Sequence, residues 1–179
     1  MLDNGQVQRL DTVLLCTGYS LDFPFITPEC GVQYTPTRAW PLYRHMINCD
    51  HPTMAFVGCI QKGIPVMPVV ECQVRYYKVW LDGVFTLPSS QGMRDYCYTE
   101  SLTEGTRERN MVPAAQQLYP YLDTLAKEAQ FEPWGTAIRH MFLASSTYTM
   151  QGPCNARNRH YEFLDLENIL VNKIEDKYC

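Results

Sequence analysis

The apolar positions of this chain fall into two kinds of pattern. Near the N-terminus they fall in short strand-like stretches, the first over residues 7–10 and the second a continuous apolar run at Val13-Leu14-Leu15-Cys16. The stretch 12–16 shows no alternation of apolar and polar positions, so it predicts a strand buried on both faces, as in a parallel sheet. Asn4-Gly5 ahead of it is a strong two-residue hairpin signal, and only residues 1–3 precede that turn. An arm this short cannot support its partner, so the pattern predicts that the other arm lies upstream of Met1. The second run ends at Thr17-Gly18-Tyr19, where a glycine lets the backbone approach another group closely.

Residues 20–52 are punctuated by Pro24, Pro28, Pro36, Pro41 and Pro52 and read as loop, with one short strand expected over 42–47. A second buried strand is expected at Met54-Ala55-Phe56-Val57, ending at Gly58. A loop over 59–65 follows, and then the period changes. Val66, Val70, Val74, Tyr77 and Leu81 recur at steps of four or three, which marks one face of a helix. Pro68 suits its first turn and Gly83 its C-terminal stop.

Strand, loop and helix thus form a unit in which the helix N-terminus faces the strand's carboxyl end. Open α/β sheets bind ligands at that end. A helix N-terminus carries about half a positive charge and free N–H groups, so it favours an electron-rich ligand edge. The remaining pattern is helical. One helix runs from a cap at Ser89 or Ser90 to about residue 109, a second is marked by Tyr121, Leu122, Leu125, Ala126 and Ala129, and a third covers 136–143. From Pro153 to Tyr161 the chain is polar and irregular.

Composition narrows the functional classes. The chain has 179 residues, 46% hydrophobic and 19% charged, which suits one folded domain with a real core. Its net charge of −4 and the lack of a basic stripe argue against nucleic-acid or anionic-membrane partners. No apolar run approaches the roughly 20 residues that span a bilayer. The eight cysteines show no C-x-x-C spacing, and MLDNGQVQRL is too polar for a signal peptide. Reduced thiols are therefore expected, in the cytoplasm or on a cytosol-facing surface.

Candidate chemistry is sparse. G-x-G-x-x-G, Walker A, H-E-x-x-H and G-x-S-x-G patterns are all missing, and none of His45, His51, His140 and His160 has a partner at metal spacing, so no metal site is expected. Glu71 and Arg75 stand four apart, a spacing that supports a helix without any cofactor role. Asn155, Arg157, Asn158, Arg159 and His160 crowd the segment GPCNARNRHY. It reads as a solvated loop, with a clamp on phosphate or ribose as the alternative.

At LDTVLLCTGYSLDFPFI the chain resembles the flavin-containing monooxygenases, whose strand ends in A/C-T-G-Y before an F-P-F/L element. The resemblance continues through PLYRHMI, HPTMAFVG, VECQVRYYKVWLDG and TLPS, in family order, with Glu71, Gln73 and Arg75 at the family's E-x-Q-x-R positions. It covers residues 1–130 well and the tail loosely.

What the resemblance implies is an α/β fold: the end of a flavoprotein with two dinucleotide-binding domains, here a partial FAD-domain sheet plus C-terminal helices. Residues 1–20 would be a hairpin and inter-domain link, 21–88 the C-terminal part of the FAD domain, and 89–179 a helical extension. The family's FAD and NADPH glycine motifs and its F-x-G-x-x-x-H signature would lie upstream. The chemistry would be oxygenation of soft N or S nucleophiles through a flavin C4a-hydroperoxide, with FAD and NADP as cofactors. A small-molecule nucleophile and oxygen would be the partners, with self-association left open. The endoplasmic reticulum surface would be a second location beside the cytoplasm. Thr17, Gly18 and Tyr19 would sit at the domain junction, and Gly58, Cys59, Gln61, Val66 and Met67 beside the flavin. No side-chain nucleophile is expected, because the cofactor carries the chemistry. This segment alone is expected to be inactive, and a non-catalytic remnant acting as a binding protein is the alternative.

Overall fold

A computed structural model describes residues 5–7, 9, 11–16, 20, 22–36, 38–59, 66–103, 118–150 and 159–173. Among them the β-structure is local: β1 (Gln33–Thr35) pairs with β2 (Arg38–Trp40), and β3 (Leu42–Tyr43) pairs with β4 (Ile47–Asn48), both antiparallel. The helices are α1 (Val66–Leu81), α2 (Ser90–Thr103), α3 (Leu118–Glu128) and α4 (Thr136–Met150). A closing ribbon joins β5 (Arg159–Phe163) to β6 (Ile169–Lys173).

The strand expected over 42–47 is instead a tight hairpin. Arg44 and His45 both take left-handed backbone angles, φ 51° and 55°. The chain reverses there, and the N–H of Met46 donates to Tyr43 O at 3.2 Å. Such a turn normally recruits Gly or Asn, and neither residue is present to announce it. The preceding ribbon, β1–β2, also falls in the stretch read as loop. The strand expected at 54–57 shrinks to one bridge, Ala55 to Ile47, flanked by Asn48 N–H to Met54 O and Phe56 N–H to Met46 O. Phe56 is buried, while Met54 and Val57 are exposed. The segment is therefore covered on one face only.

The core lies between the β3–β4 hairpin and three helices. Tyr43, Met46 and Ile47 meet Val69, Cys72 and Tyr76 of α1, Met93 and Cys97 of α2, and Leu118, Tyr121, Leu122 and Leu125 of α3. A smaller cluster of Cys30, Val32, Ala39, Leu42 and Phe56 sits under the first ribbon, with Phe23 against it. The face of α1 that enters the core is Val69, Cys72, Gln73 and Tyr76. The face expected from spacing is the neighbouring one, and there Val66, Val74 and Leu81 are exposed. Apolar residues occur on both stripes at helical spacing, so the pattern marks the helix while the docking of α3 selects the stripe.

Ser89 caps α2, its Oγ accepting the Gly92 N–H at 3.2 Å, and α3 buries Tyr121, Leu122, Leu125 and Ala126 as expected. Residues 104–109, the far end expected of α2, lie outside the described residues. Helix α4 runs seven residues beyond the expected 143, to Met150, and β5–β6 adds a ribbon to the expected helical extension.

Residues 13–15 depart most from expectation. Val13, Leu14 and Leu15 are 66%, 85% and 82% exposed, and no strand forms. A strand buried on both faces needs a sheet to enter, and none of the described elements supplies one. Gly5 has φ 79°, as the expected turn requires; Asn4 lies outside the described residues.

Candidate flavin-facing site

Gly58 ends the short extended segment that leaves Phe56. Its φ is 76°, and a Cβ there would meet Val70 Cγ2 at 3.2 Å, so glycine is favoured by both angle and space. Its backbone N–H donates to Gln73 Oε1 at 2.9 Å. Gln73 is wholly buried, and its Nε2 donates to Tyr121 Oη at 2.9 Å. The Tyr121 hydroxyl in turn donates to Arg44 O, also at 2.9 Å. Burial holds the Tyr121 phenol well above its ordinary range, so it stays a protonated donor.

The Arg44 turn is itself anchored. The guanidinium forks onto the Glu128 carboxylate, with Nε to Oε2 at 3.1 Å, and Nη1 reaches Tyr96 Oη at 3.0 Å. Tyr76 donates to the same carboxylate at 3.1 Å. A chain of polar contacts therefore runs from the Gly58 peptide through α1 and α3 to the hairpin turn.

Among the residues expected beside a cofactor, Gly58 and Cys59 start the loop that leads to α1, and Val66 and Met67 open that helix with exposed side chains. Burial pushes the half-buried Cys59 thiol up, away from reactivity. Gln61 lies outside the described residues, as do Thr17, Gly18 and Tyr19 and the arginine-rich segment 152–158. Glu71 and Arg75 form an exposed i, i+4 ion pair, which accounts for both without a cofactor. Gln73 and Tyr121 are the residues that sequence reasoning did not single out for this site. One signal was available: a polar residue at 73 sits on the stripe carrying Val69, Cys72 and Tyr76.

Elsewhere, Cys49 and Cys97 are buried free thiols whose sulfurs lie 3.8 Å apart. Asp50 accepts from Ser90 Oγ at 3.0 Å and from the Arg94 guanidinium. No group of three His, Cys, Asp or Glu side chains gathers at metal distance among the described residues, and no helix among them is long and apolar enough to cross a membrane.

A left-handed glycine turn thus lies against the N-terminal part of a helix in a mixed α/β chain. The sequence model of the family described as flavin-binding monooxygenase-like matches residues 1–163, and the chain belongs to that family. The flavin-containing monooxygenase FMO GS-OX-like 8 of Arabidopsis thaliana is 32% identical over 186 residues, covering 99% of this chain and 38% of the relative. FMO GS-OX3 of the same plant is 32% identical over 135 residues, covering 72% and 29%. The solved S-allyl-L-cysteine S-oxygenase of Allium sativum superposes with a TM-score of 0.69 at 26% identity, over 80% of this chain and 33% of that one. The chain thus spans about a third of the length of these relatives.

Proposed function

We propose that this chain is the C-terminal segment of an FAD- and NADPH-dependent monooxygenase that oxygenates soft nucleophiles, sulfur before nitrogen. The carrying observation is the Gly58–α1 unit: a left-handed glycine, where a Cβ would crowd Val70 at 3.2 Å, next to a helix whose first residues stand exposed. Those residues suit a flavin. The Gly58 turn permits close approach of a flat ring, and the α1 N-terminus offers N–H groups and positive potential to its electron-rich edge. Bound there, reduced flavin would supply activated oxygen to the substrate. The chain's own part is to orient the ring, through Gly58, Cys59, Gln61, Val66 and Met67, and to exclude water.

Family membership supports the flavin, and the structural neighbour is by name an S-oxygenase, which favours sulfur as the acceptor atom. NADP would meet the junction carrying Thr17, Gly18 and Tyr19. The phosphate-cradling glycine motifs are not in this sequence, so this segment by itself would hold no cofactor.

The test is a full-length enzyme containing the segment. It is expected to bind FAD stoichiometrically and to convert a thioether to its sulfoxide with NADPH and oxygen. Gly58→Leu is expected to lose FAD. Gly18→Val is expected to keep FAD and divert NADPH oxidation to hydrogen peroxide. An FAD-loaded enzyme that oxygenates neither a thioether nor a tertiary amine overturns the proposal.

A further inference from the structure

We infer that Gln73 is a positioning residue for the flavin-facing loop, a strut that fixes the Gly58 peptide against Tyr121 and, through it, against the Arg44 turn. The inference rests on the assignment of the Gly58 loop to the flavin.

The argument starts from what a buried amide needs. Gln73 is 0% exposed in a core otherwise made of Val69, Cys72, Tyr76, Leu122 and Leu125. A primary amide there costs free energy unless its oxygen and nitrogen both find partners. Both do, and in different directions: Oε1 accepts from Gly58 N–H and Nε2 donates to Tyr121 Oη, each at 2.9 Å. Because the Gly58 N–H can only donate, the orientation of the amide is unambiguous. An aliphatic side chain of similar volume would fill the same space with no demand for partners. What the amide adds is a link between the start of the loop and the helix core.

The far end of the link is stiff. Tyr121 is buried on α3 and donates to the carbonyl of Arg44. Arg44 is held in its left-handed turn by Glu128 and Tyr96. At the near end Gly58 lies close against α1, where a Cβ on it would come within 3.2 Å of Val70 Cγ2. Positioning of a binding group to within a fraction of an ångström depends on such supporting contacts. The loop therefore leaves the core from a peptide whose N–H direction is set by α1 rather than by solvent.

The experiment uses the full-length enzyme, stripped of FAD and titrated with FAD, with flavin fluorescence and the visible circular dichroism of bound flavin as readouts. One hydrogen bond lost from a supporting network predicts that Gln73→Leu weakens FAD binding about tenfold and alters the dichroism. Tyr121→Phe, which frees the far end, is expected to lose about threefold. A Gln73→Leu protein that melts earlier but binds FAD with parental affinity and spectrum has lost only packing, and that result overturns the strut. Should Gln73→Leu not fold, parental affinity in Tyr121→Phe overturns it equally. Gly58→Leu separates the two levels: if it loses FAD while Gln73→Leu and Tyr121→Phe do not, the strut alone fails, and if it too binds FAD normally, the loop assignment falls with it.

Discussion

Single side chains decide more here than their number suggests. Arg44 joins a left-handed turn to α3 through a forked contact that lysine cannot reproduce. Arg44→Lys is expected to destabilise the folded chain by about 1–3 kcal/mol, read as a shift in urea midpoint. An unchanged midpoint would show that the fork contributes nothing. Asp50 offers a test by pH. The hydrogen bond from Arg94, more than any other cause, holds its carboxyl below the ordinary value of 3.8. A depressed folded pKa means that the contribution is full above the unfolded value and is lost as pH falls through the folded one. Acid unfolding of the parent should therefore steepen below about pH 4, and Asp50→Asn should remove that part of the slope. Parallel melting curves for the two proteins across that range would sink the assignment.

At the scale of elements, α3 ends in a strained residue. Gln130 has φ 56°, and the N–H of Phe131 reaches back to Ala126 O at 3.0 Å, which closes the helix as a glycine-type stop without a glycine. Gln130→Gly is expected to raise stability by about 0.5–1 kcal/mol, measurable by thermal unfolding; a loss would mean that the Gln130 side chain makes a contact of equal worth. Helix α1 shows the opposite situation, with two apolar stripes and one core. Val69→Ala on the buried stripe should cost about 2 kcal/mol, whereas Val74→Ser on the exposed stripe should cost well under 1 kcal/mol in this chain. Equal costs would mean that the stripes are misassigned.

For the whole molecule, the exposed Val13, Leu14 and Leu15 are the largest departure from a closed globule. A contiguous apolar run in water promotes association. The chain expressed alone should self-associate and bind a hydrophobic dye. Substituting Leu14→Lys together with Leu15→Glu should reduce both, as followed by light scattering. A dilute, monodisperse, dye-free parent would contradict this. The relatives, about three times as long, supply the material that could cover such a run.

Helix positions were legible because a 3.6-residue period survives any tertiary arrangement: α1 ends near Gly83 and α3 buries Tyr121, Leu122 and Leu125 as the spacing requires. The family was legible too, from motifs in family order. The hairpin at Arg44 and His45 was not, because its left-handed residues are stabilised by Glu128, 84 positions away, and not by local turn chemistry. Which stripe of α1 enters the core, and that Gln73 belongs to it, was decided only when α3 docked, since burial depends on a neighbour that periodicity does not name. A continuous apolar run such as 12–16 declares what its residues need. Whether a sheet is present to meet that need is a property of the tertiary structure.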